Sequence, residues 1–250
     1  MRTVRFEPTL QTRPHLPPSP KEKPTMLELV DVKKQFPQPG GGTLTVLDIP
    51  KLSIDAGEQV VLIGRSGGGK STLLHTIAGI TKADGGKVIV NGYDIARLSE
   101  AGRDRFRAGA IGYVFQTFNL LGGFTALENV RLGMTFGSGR HDIARARHLL
   151  ERVGLADRMH YKPSQLSVGQ QQRVAIARSL AGRPKLLLAD EPTANIDPAN
   201  QQTIIDLIRD TCREEQVALL LVTHSMQVAE QFDRIEKFED LNRAMATASI

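Results

Sequence analysis

Gly64, Arg65, Ser66, Gly67, Gly68, Gly69, Lys70 and Ser71 run in the order G-x-x-x-x-G-K-[ST], a set of residue types suited to a nucleotide's phosphates. Glycines let the backbone turn tightly, so that consecutive N–H groups point inward at phosphate oxygens, and a following helix N-terminus adds partial positive charge. Lys70 is expected to reach the β- and γ-phosphates, the Ser71 hydroxyl to ligate Mg²⁺, and Thr72 to continue the cradle. Asp190 and Glu191 end a second apolar run, residues 186–189. Mg²⁺ keeps several waters and needs only one or two carboxylates beside phosphates, so Asp190 is expected to hold it and Glu191 to polarise the attacking water. Gln116 follows the apolar run 111–115, where its amide would sense both metal and water. His224 follows the run 219–223, where it would donate to the γ-phosphate as charge develops.

These groups need a rigid frame, and the flanking sequence supplies one. Residues 59–63 are a short β-branched run, and residues 71–78 place apolar side chains at helical spacing before Gly79. The same order of short apolar strand and helix recurs to residue 223: a helix at about 170–180, a strand at 186–189, a helix at about 199–214 and a strand at 218–223. Such alternation predicts a parallel sheet covered on both faces, with ligands beyond the carboxyl ends of its strands. From Met26 the alternating residues 27–32, a glycine-rich link at 40–42 and further short strands predict an antiparallel β segment. Residues 86–92 read as a strand closed by a turn, and about 97–165 as a mostly helical insertion.

Composition narrows the classes. A chain of 250 residues suits one α/β domain with insertions, and its net charge of +5 is spread over scattered Lys and Arg with only 5% aromatics, so no nucleic-acid partner is expected. The single cysteine, Cys212, excludes an internal disulfide and a Cys-rich metal site and fits a reducing compartment. The longest apolar runs fall far short of the ~20 residues that span a bilayer. Residues 1–25 carry six prolines and no apolar h-region; they read as a disordered, mildly basic tail, with a docking peptide as the alternative.

Leu166-Ser167-Val168-Gly169-Gln170, followed by Gln171-Gln172-Arg173-Val174-Ala175-Ile176-Ala177-Arg178, resembles the signature of the ABC ATPase family, usually Leu-Ser-Gly-Gly-Gln at a helix start. P-loop, Gln116, signature, the 186–191 segment, Ala194-Asn195-Ile196-Asp197 and His224 stand in that family's order over about residues 27–238. The resemblance implies a P-loop NTPase α/β fold with a RecA-like parallel core, an N-terminal antiparallel β subdomain and a helical subdomain insertion, within a nucleotide-binding domain over 26–250. It makes 194–197 the D-loop, Phe36 the aromatic that stacks on adenine, and Ser167, Gly169 and Gln170 a second phosphate cap facing the P-loop of another copy. ATP and Mg²⁺ are implied, and a homodimer in the ATP-bound state.

The sequence departs from the pattern at Val168, which stands for the first signature glycine, and at Asn195, where a small residue is common. Asp240-Leu241-Asn242 stands for the usual Asp-Gly hairpin, leaving a terminal strand pair or a helical end open. Tyr113-Val114-Phe115-Gln116-Thr117-Phe118-Asn119-Leu120-Leu121 and Leu127-Glu128-Asn129-Val130 look most like the branch serving lipoprotein-releasing and macrolide-export systems. An ATPase subunit follows as the expectation, peripheral on the cytoplasmic face of the inner membrane and driving a separate transmembrane permease. The alternative within the family is a subunit that drives a cell-division or periplasmic factor without moving a substrate. Residues 118–130 suit either a partner's coupling helix or helical-subdomain core.

Overall fold

A computed structural model describes residues 23–135 and 142–244. The expected tail, apart from Lys23 to Thr25, lies outside the described residues. The described chain opens with β1 (Thr25–Pro37) and β2 (Thr43–Asp55), paired antiparallel across the glycine-rich link. Next come β3 (Gln59–Ile63), α1 (Lys70–Ile77), β4 (Gly85–Val90), β5 (Tyr93–Asp94), α2 (Glu100–Ala110) and β6 (Ile111–Val114). Then follow α3 (Ala126–Thr135), α4 (Ile143–Arg152), α5 (Val168–Ala181), β7 (Leu186–Asp190), α6 (Pro198–Glu214) and β8 (Ala218–Thr223). The described chain closes with α7 (Met226–Ala229), β9 (Arg234–Lys237) and α8 (Phe238–Leu241).

Two sheets result, one antiparallel in the order β2-β1-β4-β5 and one parallel in the order β6-β7-β8-β3-β9. The central strands of the parallel sheet are apolar except at Gln59, Asp190 and Thr223 at their ends, because side chains alternate between two covered faces. Val61, Ile63, Leu187, Ala189, Leu219 and Leu221 point into a core shared with α3 to α6. Val60, Leu62, Leu186, Leu188, Leu220 and Val222 point the other way, onto α1 and the antiparallel sheet. Burial on both faces fixes the register, since a one-residue slip would exchange the two sets. All five parallel strands run the same way, so Ile63, Val114, Asp190 and Thr223 end at one rim.

Within the stretch 97–165, β6 is one edge strand of the parallel sheet, while α3 and α4 pack with α5 as a helical layer. Helix α5 starts in a capping box: Gln170 N–H donates to Ser167 Oγ at 3.3 Å, and Ser167 N–H to Gln170 Oε1 at 2.9 Å. Of the two C-terminal alternatives the helical one is found, as the short α8 after β9. Cys212 is fully buried on α6, and burial pushes its thiol pKa up to about 12. Among the described residues no helix is long and apolar enough to cross a membrane.

Candidate active site at the rim of the parallel sheet

The loop between β3 and α1 folds around its own lysine. Lys70, only 6% exposed, donates to the carbonyl oxygens of Gly64 at 2.8 Å and Arg65 at 2.7 Å. An ammonium group has three N–H donors, so one remains, with the Glu191 carboxylate 4.0 Å away. Gly69, at φ 103°, is the residue before α1, and it offers no side chain to cap that helix. A Cβ at Gly69 would lie 2.9 Å from Val46 Cγ1 and 3.2 Å from the Val46 carbonyl oxygen, so the loop rests directly on β2. Arg65, Ser66 and Gly67 are exposed, and the N-terminus of α1 is left free to meet an anion.

Asp190 and Glu191 reach this loop from the end of β7. Asp190 is 5% exposed, and burial raises its carboxyl pKa; the facing Ser71 hydroxyl and the charges on His75 and Lys70 pull it back, while Glu191 pushes it up. Among the described residues neither its buried Oδ1 nor the buried hydroxyl of Tyr113 on the neighbouring strand has a hydrogen-bond partner. Burial raises the Tyr113 pKa, and the nearby Asp190 charge raises it further, so the phenol stays protonated. An orphaned carboxylate oxygen beside a serine hydroxyl and a lysine suits a hard cation shared with phosphate oxygens. Among the described residues no group of three or more His, Cys, Asp or Glu could hold a metal by itself. The Asp190 carboxylate and Ser71 hydroxyl are oxygen donors of the kind Mg²⁺ takes, and that ion needs few protein ligands.

Glu191 adopts a left-handed backbone, φ 45°, of a kind that costs of order 1–3 kcal/mol in a non-glycine residue. That turn swings its side chain back over the rim. Its Oε2 lies 3.0 Å from His224 Nδ1 and accepts the His224 backbone N–H at 3.3 Å. With Nδ1–H donated to Glu191, a neutral His224 presents an acceptor at Nε2; only the imidazolium presents a proton there.

Gln116 is exposed just beyond β6, and its loop is held from two sides. Asn195 Nδ2 donates to the Gln116 carbonyl at 2.9 Å, while Arg178 on α5 donates to the Asn119 and Phe118 carbonyls at 2.6 and 2.8 Å. Ser167, Val168 and Gly169 line a different cavity, of about 590 Å³, with Ile196, Asp197 and Thr203 among its other walls and no residue of the 64–71 loop. Phe36 sits near the end of β1, 39% exposed, with Lys34 Nζ 5.2 Å from its ring centroid. The fold thus gathers Lys70, Ser71, Asp190, Glu191 and His224 at one rim, and sets Ser167 and Gly169 in a cavity of their own.

Three contributors were not singled out from the sequence. Val46 supports Gly69, Glu239 accepts the Arg65 backbone N–H at 2.9 Å, and fully buried Gln172 donates to the Pro192 carbonyl at 2.8 Å, joining α5 to the turn after Glu191. Only Glu239 had a signal nearby, in the unusual Asp240-Leu241-Asn242.

Known proteins share this arrangement. The family model described as ABC transporter matches residues 47–194. A lipoprotein-releasing system ATP-binding protein, LolD 2 of Caulobacter vibrioides, is 48% identical over 80% of this chain and 88% of its own length. A macrolide export ATP-binding/permease protein, MacB of Rhodopirellula baltica, is 42% identical over 86% of this chain and 32% of its length. Among solved structures, the ATP-binding cassette MJ0796, a dimer in a post-hydrolysis state bound to ADP and Pi, superposes with a TM-score of 0.77 at 37% identity, over 86% of this chain and 95% of that one.

Proposed function

The chain belongs to the ABC transporter family as an ATP-binding, ATP-hydrolysing subunit, and from that premise we propose that it is one half of an ATP-gated dimer driving a lipoprotein-releasing permease. One observation carries the dimer: the signature cap at Ser167 and Gly169 lines a cavity that includes no P-loop residue of its own chain. A second copy placed head to tail brings its cap to the phosphates held by residues 64–71. ATP then bridges the two copies, and hydrolysis loosens them.

Within each site the residues take distinct parts. Lys70 and the loop amides hold the β- and γ-phosphates, and Phe36 stacks on the adenine. Ser71, Asp190 and Gln116 would hold a Mg²⁺, which would supply charge neutralisation at the phosphates. Glu191, released from His224, orients and polarises the water, and His224 and Lys70 face the charge that develops on the γ-phosphoryl oxygens. Phosphoryl transfer asks little covalent chemistry of the protein, so positioning and fixed charge do most of the work.

The permease surface is a groove of about 630 Å³ between the parallel sheet and the helical layer, lined by Arg105, Arg107, Phe115, Asn119, Leu132 and Arg178 among others. It borders the Gln116 loop, so a helix seated there would feel any movement of that loop. Leu121 and Phe124, 50% and 40% exposed, extend an apolar surface within the expected docking stretch. Such a partner would hold the chain on the cytoplasmic face of the inner membrane. The choice of cargo rests on the higher identity to the LolD relative. Reconstitution with its membrane partner in vesicles tests it: ATP should release membrane-bound lipoprotein, and Glu191→Gln should stop release. A complex that hydrolyses ATP yet releases no lipoprotein would replace this reading with mechanical signalling to another factor.

A further inference from the structure

The C-terminal turn touches the start of the phosphate loop and the strand on which the loop's far end rests. Phe238 is fully buried, and its Cβ lies 2.8 Å from where a Cβ on Gly64 would stand, so α8 presses against the first residue of the loop. The next residue, Glu239, accepts the Arg65 N–H at 2.9 Å through Oε1. Asn242, 0% exposed, uses its carboxamide as a strand would use a peptide: Nδ2 donates to the Val46 carbonyl at 2.8 Å, and Oδ1 accepts the Asp48 N–H at 2.8 Å. Val46 is the residue on which Gly69 rests. Where the family pattern closes a hairpin, this chain closes a helical turn whose side chains hold the loop and its support.

The Arg65 peptide is thereby gripped from two sides. In the Gly64–Arg65 peptide, Lys70 holds the Gly64 carbonyl from within the loop, and Glu239 holds the Arg65 N–H from outside. The Arg65 N–H bond holds the Glu239 carboxyl below its usual range against the opposing effect of partial burial, and the Lys70 and Arg65 charges add to the lowering, so the acceptor stays ionised. Further along, among the described residues nothing lies within 4 Å of a Cβ placed on Gly67, so the contacts from outside the loop that fasten it are at its ends, at Gly64, Arg65 and Gly69. Phosphate-binding amides act only when pre-aimed, because each misdirected N–H must be reordered on binding.

We propose that Glu239 is a positioning residue for ATP, fixing the Arg65 peptide so that the loop amides face the phosphates, with Asn242 locking the turn that carries it. The proposal rests on the reading of residues 64–71 as the ATP site. A hydrogen bond to an exposed carboxylate is a modest tether, so Glu239→Ala should raise the Kd and KM for ATP roughly three- to tenfold, with kcat within about twofold. Glu239→Gln keeps an acceptor oxygen and should return both to within about twofold of wild type. A role confined to stability would instead lower the melting temperature and leave the KM of the folded fraction unmoved.

The experiment measures ATP binding with a fluorescent analogue, steady-state KM and kcat, and thermal melting on the full-length chain, with Lys70→Ala alongside. Unchanged ATP affinity in Lys70→Ala overturns the phosphate-loop reading itself. Lost binding in Lys70→Ala beside wild-type affinity in Glu239→Ala overturns only the positioning role. So does a Glu239→Gln variant as weak as Glu239→Ala.

Discussion

The phosphate loop and the signature cap are both glycine-containing turns at helix N-termini, yet they are built in opposite ways. The loop is fastened by distant parts of the chain: Val46 from β2, Glu191 after β7 and Glu239 from α8. The cap is fastened by itself, through a capping box that spans four residues. Val168 in that cap is 47% exposed, and a Cβ on Gly169 would meet nothing within 4 Å. One proposed half-site is held by the fold, and the other is an open surface available to a second molecule.

Glu191→Gln probes the deepest part of the wired half. Loss of the carboxylate that polarises water should lower kcat by ~10²–10⁴-fold while ATP still binds. Dimer should accumulate in ATP, as read by light scattering after gel filtration; a monomer that hydrolyses ATP normally would break the division into two halves. Lys70→Ala removes charge-assisted hydrogen bonds to phosphate and should weaken ATP binding by roughly ten- to a hundredfold, equally in monomer and dimer.

Gly169→Asp strikes the open half. The space around Gly169 means the fold should tolerate the side chain, and monomer affinity for ATP should stay within about twofold. Turnover should fall at least about tenfold because a carboxylate now faces the partner's phosphates. Mixing Gly169→Asp with Lys70→Ala protein should restore part of the activity, since the mixed dimer holds one intact pair of halves; no recovery would mean that each chain works alone. The smallest effect belongs to Val168→Gly, which brings back the family's glycine at an exposed position. Turnover should change by no more than about twofold, and melting by no more than about 1 kcal/mol of stability.

The same contrast explains what the sequence reveals. The strand–loop–helix around residues 59–78, the cap at 166–170 and the apolar run before Asp190 announce themselves because their chemistry is local: periodicity, turn residues and capping lie within a few positions. Glu239 and Asn242 act on backbone 174 and about 195 residues away. Nothing in their immediate neighbourhood points there, since an exposed Glu in the first turn of a helix is common. The departure from Asp-Gly to Asp240-Leu241-Asn242 marks the position without giving its purpose. Glu191 is intermediate: its type and place are legible, but the left-handed backbone that turns it onto His224 emerges only when β7 and β8 lie side by side. Gln172 is hidden in another way, for a glutamine inside a polar run gives no sign of complete burial.

Cys212 lends the molecule a practical property. It is the chain's only thiol, completely buried and with its pKa raised far above neutrality, so it stays protonated and out of reach of alkylating reagents. Cysteines introduced at exposed positions outside the two half-sites would be the sole reactive sulfurs in an otherwise natural sequence. Spin labels or a crosslinker placed there could time the closing and opening of the dimer during turnover, with no native residue removed to make the background silent.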